Sequence, residues 1–109
     1  MTIKELQNKK ILILGFAREG RDVYRFLRKQ FPSKVFGVAD QKETLAHLPR
    51  KGVKLHLGID YLSAIKNYDV VIKSPGIPLR MVSPLLKKKQ ELTSETDIFF
   101  SECQGTIVG

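Results

Sequence analysis

The sequence has little of the residue types that small proteins use for covalent or metal stabilisation. Its 109 residues include no tryptophan, one cysteine and two histidines. The single cysteine, Cys103, excludes an internal disulfide and is typical of a reducing compartment such as the cytoplasm. With His47 and His56 as the only histidines, the sequence contains no convincing zinc cluster.

Long hydrophobic runs are absent as well. No apolar stretch approaches the ~20 residues that a membrane-spanning helix needs. The N-terminus, MTIKELQNKK, lacks the apolar segment of a secretory signal. Hydrophobic residues still make up 42% of the chain, which is ordinary for a globular protein. We therefore expect one small domain over residues 1–109, located in the cytoplasm.

Basic residues outnumber acidic ones by 19 to 11, which gives a net charge of +8. Such a balance favours polyanionic partners, which include nucleic acids, membranes and phosphorylated small molecules, and does not choose among them. Aromatic residues make up only 8% and fall mostly at predicted core positions, so a surface for stacking nucleic-acid bases is not favoured.

Short apolar runs alternate with segments of helical periodicity, which is typical of successive βαβ units. The pattern predicts an α/β fold, a Rossmann-like doubly wound parallel sheet of about five strands with flanking helices. Strands are predicted at residues 10–14, 34–39, 53–57, 69–73 and 91–94, with a further strand beginning at 106–108. Helices are predicted at 18–30, 84–90 and 95–103, a short helix or a turn at 41–49, and a helical turn at 61–66.

Two of the predicted helices carry more detailed expectations. In the first, Arg18, Arg21, Arg25 and Arg28 share one face, which we interpret as solvated rather than as a nucleic-acid stripe. The helix at 84–90 is expected to begin with Ser83 as its N-cap and Pro84 at its first position.

The first strand ends in a glycine turn, Gly15 to Gly20, that leads directly into a helix. The turn departs from the dinucleotide-binding pattern G-x-G-x-x-G because Ala17 replaces the middle glycine. The free N–H groups and the dipole of a helix's first turn favour an anion such as a phosphate. Without other support this degenerate pattern is weak.

Two further loops are expected beside this turn, since the carboxyl ends of parallel strands share one edge of the sheet. Asp40, twenty residues after Gly20, is placed either to contact a ribose hydroxyl or to cap its own turn, and its spacing leaves both possibilities open. The Ser74–Gly76 turn exposes a hydroxyl and backbone N–H groups, suited to a phosphate or a sugar, although a plain turn is equally possible. No catalytic constellation is found.

Taken together, KKILILGFAREGRDVYRFL, VAD at 38–40 and DVVIKSPGIP at 69–78 resemble the N-terminal domain of the Mur ligase family. The resemblance covers essentially the whole chain and is closest to the D-glutamate-adding branch, which acts in peptidoglycan precursor synthesis. SPGIP after DVVIK is its most specific part.

The resemblance implies a domain that binds UDP-N-acetylmuramoyl-L-alanine. By position, Arg18 and Glu19 open the helix facing the diphosphate, and the Gly15, Ala17 and Gly20 turn surrounds it. Asp40 and Gln41 would lie beside the uracil end, and Ser74, Pro75 and Gly76 would touch the nucleotide. Because Glu19 puts a negative charge near the diphosphate, a backbone role is expected there.

The resemblance also implies a parent enzyme that forms an amide bond with D-glutamate, using ATP and Mg²⁺. Its central ATPase domain and C-terminal domain are expected to be absent from this chain, which would then bind the UDP-sugar without catalysing the reaction. An NAD(P)-binding module of a dehydrogenase or regulator is the alternative that Asp40 supports, whereas Ala17 and the Ser-Pro-Gly turn count against it.

Overall fold

A computed structural model describes residues 6–42 and 52–94 of the chain. Five parallel strands form one sheet in the order β3-β2-β1-β4-β5, which confirms the predicted doubly wound α/β fold. The strands are β1 (Ile11–Leu14), β2 (Phe36–Asp40), β3 (Val53–Leu57), β4 (Val70–Lys73) and β5 (Glu91–Ser94). The helices are α1 (Arg18–Gln30), a 3₁₀ helix (Tyr61–Asn67), α2 (Leu79–Val82) and a 3₁₀ turn (Ser83–Leu85).

Strand β1 lies at the centre of the sheet and is fully buried on both faces. Because successive side chains point to opposite faces, its four apolar residues divide between two cores. Ile11 and Ile13 belong to the core that contains Val23 and Leu27 of α1. Leu12 and Leu14 belong to the core on the other face, under the 3₁₀ helix and α2. A continuous apolar run, rather than an alternating one, is therefore what this position requires.

Helix α1 has the bounds that the sequence predicted. Val23 and Leu27 are buried, and Tyr24 and Phe26 pack partly against the same core, whereas Gln30 is exposed at the end of the helix. Gly20 is also buried, which fits close packing between the helix and the sheet. The buried residues of α1 therefore recur at helical spacing along one face, as expected for a helix packed on a sheet.

Arg28 corrects the interpretation of the arginine row as wholly solvated. It is half-buried, and its guanidinium donates to the backbone carbonyls of four residues: Phe31, Pro32, Lys34 and Gly52. The group also lies 4.8 Å from the Phe36 ring centroid. Three of these carbonyls belong to the loop directly after α1, and the fourth belongs to Gly52, which precedes β3, so Arg28 closes the end of its own helix and ties it to a segment distant in sequence. Arg18 and Arg25 remain exposed, as expected.

The predicted helix over 84–90 is wrong. Instead, α2 begins earlier, at Leu79, and Pro84 lies in the 3₁₀ turn that ends at Leu85. Ser83 makes no side-chain capping hydrogen bond, and Leu86 is already extended, with φ −82° and ψ 140°. The chain must leave the helix here because β5 has to return beside β4. Gln90 anchors that return by donating from its amide to the carbonyls of Ile65 and Tyr68, both at 2.6 Å.

Several predicted elements lie outside the described residues: the segment 41–49 beyond Lys42, the helix at 95–103 and the strand at 106–108. Over residues 6–42 and 52–94, no helix is long and apolar enough to cross a membrane.

Replacing Arg28 by lysine should lower the free energy of unfolding by about 1–3 kcal/mol, because an ammonium cannot serve four carbonyls in the fixed fork that a guanidinium provides. Urea denaturation followed by circular dichroism measures this change. The matched control is Arg25→Lys, since the exposed Arg25 only approaches Asp22 at 3.6 Å. Equal stability of both variants would contradict the role assigned to Arg28.

Candidate functional site

The candidate site is a cleft of about 210 Å³ at the carboxyl ends of the strands. The chain runs from β1 outward to β2 and β3 and then returns to place β4 on the other side of β1. The point where strand order reverses therefore lies between β1 and β4, which is where open parallel sheets bind ligands. The loops after β1, β2 and β4 converge there, as the sequence predicted.

Gly15 makes the first of these loops possible. Its φ is +93°, which side chains rarely tolerate, and its N–H donates to the carbonyl of Ala39 at 2.7 Å. A Cβ atom at this position would lie 2.6 Å from the Cβ of Ser74. Glycine is thus required both by the turn and by the close approach of the β4 loop, and the sequence revealed only the first of these reasons.

Asp40 holds two of the loops together. One carboxylate oxygen accepts the N–H of Phe16 at 2.9 Å, and the other accepts the N–H of Lys42 at 3.0 Å. The carboxylate therefore fixes the glycine turn and caps its own turn. Of the two possibilities that the sequence left open, the capping contact is present in the structure, and the contact with a ribose hydroxyl stays a prediction.

The loop after β4 is held by hydrogen bonds of its own. The N–H of Ser74 donates to the carbonyl of Leu14 at 2.8 Å, and Ser74 Oγ accepts the N–H of Gly76 at 3.3 Å. Lys73 reaches over the turn, where its ammonium donates to the carbonyls of Ser74 at 3.1 Å and Ile77 at 2.7 Å. Lys73 therefore does not point into solvent. It stabilises the turn after β4, which forms one wall of the cleft.

The N-terminus of α1 opens at the cleft without a side-chain cap. Ala17 is the N-cap residue, in an extended conformation, and a methyl group cannot accept the N–H groups of the first turn. These donors and the helix dipole leave a position that favours an anion. Arg18 and Glu19 in that turn are exposed.

Of the ten residues proposed from the sequence, six border the cleft: Gly15, Ala17, Asp40, Gln41, Ser74 and Gly76. The other four, Arg18, Glu19, Gly20 and Pro75, are not among its lining residues. Three further lining residues, Lys42, Tyr61 and Ile77, were not identified from the sequence. Lys42 directly follows two predicted site residues, and this position in the sequence could have indicated that it borders the cleft. Tyr61 belongs to a segment with no binding motif, so nothing in the sequence indicated its place there.

A larger groove, of about 660 Å³, lies toward the amino-terminal ends of β1 and β2. In it the Tyr68 hydroxyl and His56 Nε2 are 2.8 Å apart. Burial raises the pKa of Tyr68, and burial together with the charge of Lys54 lowers the pKa of His56. This groove is remote from the converging loops. Across the described part of the chain, no group of three metal-binding side chains is found.

Comparison with known proteins identifies relatives over nearly the whole chain. The UDP-N-acetylmuramoylalanine–D-glutamate ligase of Clostridium acetobutylicum is 33% identical over 98% of this chain and 25% of its own length. The ligase of the same name from Streptococcus pyogenes serotype M5 is 32% identical over 98% of this chain and 25% of its own length.

A UDP-N-acetylmuramoyl-L-alanine–L-glutamate ligase of Xanthomonas campestris is 38% identical over 71% of this chain and 17% of its own length. The chain thus spans about a quarter or less of the relatives that it matches. No protein-family model matches it, and no solved structure matches it.

Gly15→Ala should destabilise the fold by about 2–4 kcal/mol, because the positive φ and the overlap with Ser74 both oppose a methyl group. A change to valine should be worse. The matched control is Gly76→Ala, whose added Cβ would meet nothing closer than 3.9 Å. Thermal unfolding measures both variants, and a Gly15→Ala variant as stable as the control would contradict this account of the turn.

Proposed function

Since the chain corresponds to the N-terminal domain of the Mur ligase family, near the glutamate-adding enzymes, we propose that it binds UDP-N-acetylmuramoyl-L-alanine in the cleft. The observation that carries the proposal is the uncapped N-terminus of α1, which opens between two turns that the chain itself holds in place. A nucleotide diphosphate is the kind of group that such a helix end favours.

In the proposed complex, the diphosphate lies against the first turn of α1. Gly15 and Ala17 present little side-chain volume at that point, so the backbone N–H groups can approach the ligand. Glu19 and Arg18 contribute through the backbone of the helix, because both side chains are exposed and neither lines the cleft. Gly20 contributes by allowing close packing of the helix.

The nucleoside part is proposed to lie toward Asp40 and Gln41, on the side of β2. The turn at Ser74, Pro75 and Gly76 forms the opposite wall, with its hydroxyl and backbone groups at the edge of β4. Asp40 accepts a hydrogen bond from the Phe16 N–H in the glycine turn. Its first effect on binding is therefore to fix the conformation of the turn beside the proposed diphosphate position. A direct contact with the ligand would add to that effect.

We propose further that the parent protein is an ATP-dependent ligase that joins an amino acid to the substrate carboxylate. Relatives named for D-glutamate and for L-glutamate both match this chain, so D-glutamate is the proposed but not the sole candidate. ATP and Mg²⁺ would act in parts of such a ligase that correspond to the remaining three quarters of the relatives' length. No residue of this chain is assigned a catalytic role.

Calorimetric titration of the chain with UDP-N-acetylmuramoyl-L-alanine, with NAD as comparison, tests the proposed ligand. We expect binding of the UDP compound alone, on the scale of about 1 mM or −4 kcal/mol, since the chain offers only part of a larger site. Heat from NAD alone, or from neither ligand at millimolar concentrations, would contradict the proposal.

Ser74→Leu tests the position of the site. A bulky side chain in the cleft wall should weaken binding about ten-fold or more, which corresponds to at least ~1.4 kcal/mol. Ser83→Leu is the matched control, because Ser83 is exposed in the 3₁₀ turn after α2 and does not line the cleft. Circular dichroism must show both variants folded, and unchanged affinity of folded Ser74→Leu would remove this turn from the site.

A further inference from the structure

Tyr61 has an unusual environment for a residue that borders the cleft. It begins the 3₁₀ helix after β3 and is only 7% exposed. It belongs to the same buried core as Leu14, the last residue of β1, and Ala39, the last residue but one of β2. Together with Ile77 it forms the apolar part of the cleft wall.

The hydroxyl of Tyr61 has no hydrogen-bond partner among residues 6–42 and 52–94. The other two tyrosines of the chain both have one. The Tyr24 hydroxyl accepts from Arg28 Nε at 3.0 Å, and the Tyr68 hydroxyl pairs with His56 at 2.8 Å. A buried tyrosine hydroxyl usually finds a partner, and leaving it without one is unfavourable. The tyrosine at the cleft therefore holds a polar group that the described part of the protein does not use.

The cleft is lined by two different kinds of surface. At Ala17, α1 presents N–H groups and a positive dipole, which suits the diphosphate. Tyr61 belongs to the core on the opposite face of the sheet from α1, Ile77 packs against that core, and Tyr61 brings an aromatic ring and a neutral hydroxyl to the lining. A planar base with carbonyl and N–H groups, attached to a ribose, matches that surface better than a charged group does.

We propose that Tyr61 is a nucleoside-recognition residue, whose ring packs against the nucleoside of the bound UDP compound and whose hydroxyl forms a hydrogen bond to it. This inference rests on the proposed function. It assigns to an apolar wall of the cleft a contact that no sequence motif marks, and it explains why a hydroxyl occupies this buried position where phenylalanine would pack equally well.

Tyr61→Phe tests the contact because it removes only the hydroxyl. With UDP as the probe, we expect the variant to bind about five- to ten-fold more weakly than the unchanged chain, the loss that one neutral hydrogen bond produces. Its thermal midpoint should stay the same or rise, since an unpaired hydroxyl gives the free protein no stability.

Tyr68→Phe is the matched control. It removes a hydroxyl that is paired with His56 in the other groove, so it should lower the thermal midpoint and leave UDP affinity unchanged. The opposite pattern of the two variants separates a ligand contact from a structural one. Both titrations are followed by ligand-observed NMR, which detects binding in the millimolar range.

The possible results distinguish this inference from its premise. If the unchanged chain binds UDP and Tyr61→Phe binds it equally well, the role of Tyr61 is wrong while the proposed function stands. If the loss is seen only with the complete UDP-N-acetylmuramoyl-L-alanine, the contact is to the sugar and the nucleoside assignment is overturned. If the unchanged chain binds neither compound, the proposed function fails and the role of Tyr61 fails with it.

Discussion

The close approach of the β1 and β4 loops, at Gly15 and Ser74, is the constraint on which the rest of the site depends. The two backbones can meet only because Gly15 lacks a side chain and adopts φ +93°. That contact sets the width of the cleft at the point where strand order reverses, directly beside the N-terminus of α1. A larger residue at either position would separate the turns and move the helix end away from the second wall.

Around this contact, charged side chains form hydrogen bonds with backbone groups of the chain itself. Asp40 binds the N–H groups of Phe16 and Lys42, and Lys73 binds the carbonyls of its own loop. These interactions fix the turns before a ligand arrives, so less ordering is needed on binding. They leave the N–H groups of the first turn of α1 open, because Ala17 is not a capping residue. The walls of the cleft are thus preorganised by side-chain contacts with the backbone. The anion position stays open because none of those contacts caps the helix.

The sequence predicted best those features that depend on local periodicity. The five strands and the bounds of α1 followed from apolar runs, glycines and helical spacing, and the convergence of three loops followed from parallel topology. The helix at 84–90 failed because a tertiary requirement, the return of the chain to form β5, prevailed over the local signal of Ser83 and Pro84. Arg28 was misread because its helical position shows neither the path of the loop after α1, whose carbonyls it binds, nor the approach of Gly52, which only the fold brings near.

The site shows the same division. Gly15, Asp40 and Ser74 were accessible to sequence analysis because each follows a strand within a recognisable turn. Tyr61 was not, since it reaches the cleft through the packing of the second core and lies in no motif, and Ile77 was not singled out although it follows the Ser74–Gly76 turn directly. Lys42 borders the cleft beside two predicted residues and was not identified from the sequence.

The net charge of +8 also takes on a different meaning once the side chains are placed. Arg28, Lys34 and Lys73 donate to backbone carbonyls, and Lys9 pairs with Glu91 at 2.7 Å. Part of the basic excess therefore stabilises the fold and does not form a surface for a polyanion, which weakens the nucleic-acid interpretation. Among the described residues that line the cleft, Lys42 is the one basic residue, and the acidic Asp40 lines it as well. Recognition of an anion there rests mainly on backbone N–H groups at a helix end, which suits a small ligand with one diphosphate better than a long polymer of phosphates.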